Sequence, residues 1–515
     1  MTVEVDIQKG AYHDSVRLMQ ISQQLRSLPG MREAILMMAT DNNKRILAAA
    51  GFGGPQVDTA ARDDLVIGLA ADNDQAVAAA RQLADTLLRQ RAKSEGRREY
   101  RSLEAARAEL PEANIALISV PGEYAADEAR KALGAGLNVM LFSDNVALAD
   151  EIALKSLAAD NGLLLMGPDC GTAVINGCGL GFANAVRQGD IGIIGASGTG
   201  IQEILAQIDR LGGGVSHAIG VGGRDLKPEV GGMAMLQALQ MLAVDAATKV
   251  IVLTSKPPHA KVAQLVLESA RRCGKPVVVN FLGADSNALE APNLHFATTL
   301  ADTAHAAMQL SSSPSKTVAM ADIDGTDELA ALAPEQRYLR GLFSGGTLCY
   351  EAMLLLRPIG RIFANIALDP QDQLPDPNHS QQHSLLDMGE DFFTQGRPHP
   401  MLDPQLRNDR LLQEAADPNV AIILLDLVLG HGAHPDPADT LSRTIRQAKR
   451  IAKDGGRHLI VIASVCGTQA DPQDYDRQCA LMIDAGARIA PSNAQAAMLA
   501  RDMLQTLSAK QEQSR

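Results

Sequence analysis

Tryptophan is absent from this chain, and aromatic residues of all kinds make up only 3% of it. That scarcity removes the stacking platforms on which single-stranded nucleic acids are held. Basic residues are also short: 47 Lys and Arg face 60 Asp and Glu, for a net charge of −13. Such a field repels polyanions, so neither nucleic acid nor an acidic membrane surface is expected as a partner. No apolar run approaches the roughly 20 residues that span a bilayer, and the first residues lack a signal-peptide core, so a cytoplasmic location is expected. The six cysteines, at 170, 178, 273, 349, 466 and 479, form no Cys-x-x-Cys pair and have no His at zinc spacing. Free thiols in a reducing compartment and no metal centre follow.

What is present is α/β rhythm on a scale of three or four domains, given 515 residues. Residues 1–95 alternate apolar runs (Val3 to Ile7, Ala34 to Met38, Leu65 to Ala70) with amphipathic stretches (Asp14 to Leu28, Gln75 to Gln90), a small α/β region. The charged segment that follows reads as a linker or exposed helix. From Pro111 the pattern becomes strand, helix, strand: "NIALISV", "EYAADEARKALGAG", "LNVMLFS", then "GLLLMGP". Parallel strands with helical crossovers are implied. The rhythm resumes at "IGIIGAS" and runs through "KVIVLTS" and "KPVVVNFLG" to a helix near Leu310. A polar stretch over 313–336 predicts a linker, and a last α/β domain occupies 337–510.

Two glycine-rich turns stand out, "GASGTGIQE" and "FSGGTLCYE". They share G-T-x-x-x-E at a shift of 148 residues, with Gly198-Thr199 matching Gly346-Thr347 and Glu203 matching Glu351. The strands after each recur in the same order, so two similar domains are inferred. A helix that begins in such a turn has N–H groups without intrahelical partners and partial positive charge, which suits an anion. Ser197, Gly198, Thr199 and Gly200, with Gly345, Gly346 and Thr347, are therefore the candidate phosphate-binding residues. A tight turn needing small residues for packing is the plain alternative.

Sharper labels fail. No Lys follows Gly198-Thr199-Gly200 as a P-loop requires, and Thr199 occupies the position where a nucleophile elbow needs Gly. The dinucleotide spacing is also wrong. Cys349, inside its helix, reads as inert packing. Arg224 in "GGRDLKPEVGG" and Arg397, His399, Asp403 and Arg407 in "GRPHPMLDPQLRN" are loop candidates for gripping an anion or positioning a proton, with surface ion pairs and a structural His as alternatives. Arg224, Arg397 and His399 are the catalytic candidates. His431 and His434 in "LGHGAHPDPAD" have metal-like spacing, but Gly432 and the two prolines oppose a regular helix.

These segments carry a resemblance. "PEANIALISVPGEY" through "GLLLMGPDCGT", over 96–188, resembles the end of a succinyl-CoA synthetase alpha-subunit CoA-binding domain, with a turn at Gly167-Pro168-Asp169. "IGIIGASGTGIQE" with "GVGGRD", over 189–312, resembles that subunit's ligase domain, and 337–510 is similar to a second ligase-type domain. The resemblance implies a Rossmann-like CoA-binding-type domain followed by two flavodoxin-like ligase domains. The full order, from "KGAYHDSV" to "GRPHPMLDP", resembles the FdrA family of acyl-CoA synthetase-like proteins. The phosphorylated His of such synthetases lies in a Gly-His-Ala-Gly motif, which is missing here, as is a nucleotide-binding ATP-grasp domain. The resemblance then implies a subunit of an oxamate carbamoyltransferase in allantoin breakdown, acting with partner subunits. Phosphate or carbamoyl phosphate is the expected substrate, with CoA left open as a ligand. Acyl-CoA ligation and a CoA- or metabolite-binding scaffold are the alternatives.

Overall fold

The structure is a computed structural model, described for residues 2–11, 13, 15–26, 28–89, 100–284, 291–312, 327–395 and 397–513. It divides into two compact units: residues 1–100 with 394–398, and residues 101–393 with 399–515.

In the first unit, strand Leu65–Ala71 pairs antiparallel with Thr2–Gln8 on one side and with Met31–Met38 on the other. Helices Ser15–Arg26 and Asp74–Arg89 bury Leu18, Leu25, Val77, Ala80 and Ala84 against one face of this sheet. Phe52, Leu47 and Val57 cover the other. Both faces are thus dry, which is why the central strand is buried throughout. Gly68 is required there: a β-carbon would meet the Phe52 ring at 2.6 Å.

The second unit contains three sheets. Strands Ile115–Ile118, Asn138–Leu141 and Leu165–Met166 form a small parallel sheet flanked by helices Gly122–Gly134 and Leu148–Asp160. Five strands of the seven-stranded sheet are parallel, Val215–Gly220, Gln188–Gly195, Val250–Ser255, Val277–Phe281 and the edge strand Leu294–Phe296, in that spatial order. Numbered along the chain this is 2-1-3-4-5, the flavodoxin-like order. Its far edge is a hairpin, Thr172–Ile175 with Cys178–Gly181, turning on Asn176-Gly177, both at positive φ. This hairpin falls inside the 96–188 stretch grouped by sequence with the CoA-binding-like domain, yet it hydrogen-bonds to the next sheet.

The six-stranded sheet is parallel throughout: Phe363–Ala364, Ser384–Asp387, Tyr338–Phe343, Val420–Val428, Ile460–Cys466 and Ala487–Ala490. Without its short first edge strand the order is again 2-1-3-4-5. The expected architecture of several parallel-sheet domains with two flavodoxin-like members is therefore observed. One apolar cluster runs through both of these domains, joining Ile201, Ile204 and Leu205 to Leu348, Ala352, Ala497 and Leu504. Of the stretch expected as a linker, residues 313–326 lie outside the described residues. Leu329 and Gln336 are buried, and Gln336 Nε2 donates to the carbonyls of Val420 and His458.

Candidate functional site

In each flavodoxin-like domain the first strand lies between the second and third, so the chain leaves its carboxyl end where the crossovers diverge to opposite sides. That is where open α/β sheets hold ligands. The two glycine-rich turns stand at these points and start helices Gly198–Arg210 and Gly346–Leu356. Ser197 caps the first helix, its Oγ accepting from Gly200 N at 3.0 Å.

The two helix starts meet. Ser197 Oγ hydrogen-bonds to Thr347 Oγ1, and a β-carbon on Gly345 would stand 3.0 Å from Thr199. Under the 148-residue shift Ser197 corresponds to Gly345 and Thr199 to Thr347, so the two contacts are mirror copies about a local pseudo-twofold axis. The sequence repeat thus brings two positive helix ends to one place, and their partial charges add there.

The turns differ in what is left to offer. Ser344 N and Gly345 N both donate to the buried Asp426 carboxylate, at 2.7 to 3.0 Å. Arg407 in turn holds Asp426 Oδ1 at 2.9 Å and Ser344 Oγ at 2.5 Å. The Gly345 N–H, a candidate phosphate donor by sequence, is therefore committed to the protein's own carboxylate, and the donors of this turn begin at Gly346. Arg407 is buried beneath the turn, where it braces it. His399 lies alongside: its Nε2 would stand 2.5 Å from a β-carbon on Gly389, which would also approach Ser344 O at 2.8 Å. Its Nδ1 accepts from Met401 N at 3.2 Å, placing the ring proton on Nε2. Burial, then the Arg407 charge, lowers its pKa to about 4, so the ring is neutral at pH 7.

The catalytic candidates differ in what holds them. Arg224 forms an ion pair with Glu151 at 2.9 Å and donates to Val146 O at 2.7 Å, which commits it to the neighbouring small domain. Arg397 is exposed and falls in the first compact unit, whereas His399 falls in the second. His431 is held through its backbone, pairing with Ala183, and His434 Nδ1 accepts from Asp436 N at 3.0 Å. Among the described residues no three metal-ligating side chains cluster. Burial pushes the Cys349 thiol well above its ordinary pKa, which fits packing.

Sequence reasoning missed Lys256 and Asp387. Lys256 immediately follows strand Val250–Ser255, and its Nζ lies 5.8 Å from the ring centroid of Tyr350, one turn into the second helix. Asp387 ends strand Ser384–Asp387, and a β-carbon on Gly346 would collide with its Oδ2. Burial pushes the Asp387 carboxyl up to about 6, against the opposing field of Lys256. Both were findable as the polar residues at the carboxyl ends of the strands "VIVLTS" and "SLLD".

Two apposed ligase-type domains behind a small parallel sheet define a chain like the alpha subunit of succinyl-CoA synthetase. A CoA-ligase family model matches residues 342–503, and a CoA binding domain model matches 186–283, the stretch expected as the first ligase-like domain. An "AllF, heavy metal-associated domain" model matches 1–104. That segment contains no Cys and a single His, His13. The chain is 28% identical over 171 residues to succinate–CoA ligase (ADP-forming) subunit alpha 2 of Archaeoglobus fulgidus, covering 32% of this chain and 58% of that one. Among solved structures, PH0766 of Pyrococcus horikoshii aligns over 81% of this chain and 88% of its own, at 17% identity and a TM-score of 0.35. The uncharacterized protein YahF of Escherichia coli K12 is 46% identical over 512 residues, 98% of this chain and 99% of YahF. The chain belongs to the YahF family. Among the described residues no helix is long and apolar enough to cross a membrane.

Proposed function

We propose that this chain is an FdrA-type subunit of an oxamate carbamoyltransferase that acts in the cytoplasm with partner subunits. It would convert oxalurate and phosphate to oxamate and carbamoyl phosphate in allantoin breakdown. The observation that carries the reading is the meeting of the two helix starts, marked by the Ser197–Thr347 bond, in a chain with no Gly-His-Ala-Gly motif. Two helix ends aimed at one place suit a phosphate, and the missing His and ATP-grasp domain suit a phosphate group that arrives on, or leaves with, a small substrate. The AllF-type match at the N-terminus supports the allantoin connection. Preorganised N–H donors at Gly198, Thr199, Gly346 and Thr347 would hold charge that develops in transfer, with no protein nucleophile required.

The test is to purify the chain with its neighbouring gene products and measure carbamoyl phosphate formed from oxalurate and phosphate. Formation dependent on this chain is expected. No carbamoyl phosphate, together with CoA-dependent ATP formation from an acyl-CoA, would favour the second reading, an acyl-CoA synthetase. The CoA binding and CoA-ligase matches support that reading. CoA binding without turnover in any assembly would favour a scaffold subunit.

A further inference from the structure

We infer that Lys256 and Asp387 complete the anion site between the helix starts, Lys256 as the cation that binds phosphate and Asp387 as the acid–base residue that moves a proton during its transfer. The inference rests on the proposed carbamoyl transfer and names the residues that perform it.

The glycine-rich turns lack the lysine that a P-loop carries in sequence, yet the fold supplies one from the third strand. Lys256 is half-buried, stands over Tyr350 of the second helix, and acts electrostatically on Asp387 and on Cys349 of that helix. Among the described residues no carboxylate lies within ion-pair distance of its Nζ. A partly desolvated ammonium near buried carboxylates, but bonded to none, leaves a slot for a further anion.

Asp387 frames that slot from the other domain. Its side chain is more than nine-tenths buried, and Oδ1 accepts from Gly389 N at 3.0 Å. Oδ2 accepts no hydrogen bond among the described residues and points at Gly346, the first residue of the second helix. Were it a simple helix cap, Oδ2 would accept from the N–H groups of that first turn, and it does not. Those of Ser344 and Gly345 already go to Asp426. A phosphate dianion can lie beside Asp387 only if a proton sits between them, because two bare anions at that range repel.

The shared proton is the one the reaction must move. A phosphate oxygen attacks the carbamoyl carbon of oxalurate, forming C–O, and the C–N bond to the oxamate nitrogen breaks with its electron pair going to nitrogen. Monohydrogen phosphate loses one proton in becoming carbamoyl phosphate dianion, and the oxamate nitrogen gains one. Asp387 takes the first and delivers the second, and ends the cycle as it began. The groups acting on it from the packed elements are Lys256, Glu390 and Asp426. An acid whose pKa lies near neutrality suits transfer in both directions.

The experiment uses full-length chain, alone and in its complete assembly, with K256M, K256R, D387N and wild type compared after matching their circular dichroism and unfolding midpoints. Inorganic phosphate titrated calorimetrically onto the chain should bind about 10-fold or more weaker in K256M, with partial recovery in K256R. Proton exchange on phosphate binding, read from the buffer dependence of the heat, should vanish in D387N. In the assembly, D387N should lower kcat about 100-fold with little change in KM for phosphate, and should remove the ionisation near pH 6 from the rate profile. Lys256- and Asp387-dependent phosphate binding without carbamoyl phosphate formation would retain the site and sink the carbamoyltransferase reading. Turnover in wild type with unchanged phosphate affinity in K256M and unchanged kcat in D387N would overturn the inference and retain the reading. Absence of phosphate binding and of turnover overturns both.

Discussion

Ser197 and Thr347 share a hydrogen bond between their hydroxyls although 150 residues separate them. Each stands at the start of a helix in a different α/β domain, and the pair marks the line along which the two domains close. Around it Thr199 packs against Gly345 on the other side of the local axis, so the contact is repeated and the two helix ends cannot separate singly.

That packing predicts a specific non-additivity. A methyl added at Gly345 would lie 3.0 Å from Thr199, closer than well-packed carbons tolerate, while the backbone there (φ −102°) accepts any residue. G345A should therefore cost about 1–3 kcal/mol by overpacking alone. T199G creates a gap of similar size, and combining it with G345A should recover about 1 kcal/mol or more relative to the sum of the single changes. Denaturant unfolding of the four proteins reads this out. Strict additivity would show that the two turns do not touch.

The two matched glutamates exchange domains. Glu351, from the second, accepts from the Leu300 N–H that begins the last helix of the first, at 2.7 Å. Glu203, from the first, accepts at 3.4 Å from the N–H of Asn493, which begins the last helix of the second. Asn493 Nδ2 also donates to Glu351 at 2.7 Å. Burial pushes the Glu351 pKa to about 7, opposed by the bonds from Asn493 and Leu300. Because the folded value lies above the unfolded one, the stabilisation is full below about pH 4.5 and is lost as pH rises towards 7. The loss is on the order of 3 kcal/mol. E351Q keeps the shape and removes the ionisation, so the difference in stability between E351Q and wild type should grow from pH 4.5 to 7 and then level off. A difference independent of pH would show that Glu351 ionises normally.

The succession of strands and helices in both flavodoxin-like domains was legible in the sequence because buried parallel strands are continuous apolar runs, such as "VAIILLDLV", separated by amphipathic helices, whereas their spatial order came only with the family resemblance. The repeat in the two glycine-rich turns was legible as well, since G-T-x-x-x-E needs no structure to align. Their meeting was not, because no local pattern encodes which surfaces of two domains come together. The same limit hid the roles of the arginines. Arg407 looks like a loop cation in sequence and is a buried brace on Asp426, while Arg224 is tied to Glu151. Lys256 carries no local signal, because a P-loop lysine adjoins its glycine-rich turn in sequence, whereas this one reaches the second helix only in the fold. The edge strand Phe363–Ala364 is too short to show a period at all.

Beneath Arg224 lies a buried charge cluster that binds the small parallel domain to its neighbour. Lys155 Nζ pairs with Glu151 at 2.9 Å and Asp225 at 2.7 Å and donates to Val221 O at 3.1 Å, all three side chains being almost fully buried. Asp225 also accepts from the N–H groups of Ala234 and Met235. K155M would leave Glu151 and Asp225 with one shared cation fewer and should destabilise the fold by about 3–5 kcal/mol. E151L, K155M and D225N together should cost far less, because both buried carboxylates leave with the ammonium and the remaining Arg224 is part-exposed to water. Equal loss in both variants would show that packing volume, and not the charge balance, holds this junction.

His399 and His383 are both half-buried and neutral, with pKa values pushed down to about 4 by partial burial first and then by Arg407 and Arg340 respectively. Each accepts a backbone N–H at Nδ1, from Met401 and from Leu339, a bond that protonation would break. A folded value below the unfolded one stabilises fully above pH 6.5, and that stabilisation is lost as pH falls towards 4. This runs opposite to the Glu351 contribution over nearly the same window, so the wild-type stability profile should be flatter there than either group alone would make it. The variants separate them. H383Q should remove its share of the acid loss while leaving the His399 share and the E351Q difference intact, and the triple variant H383Q/H399Q/E351Q should show none of the three contributions. Histidine ring resonances followed by NMR should place two titrations near pH 4, and titration of either ring near 6.5 would show that its burial is broken in solution.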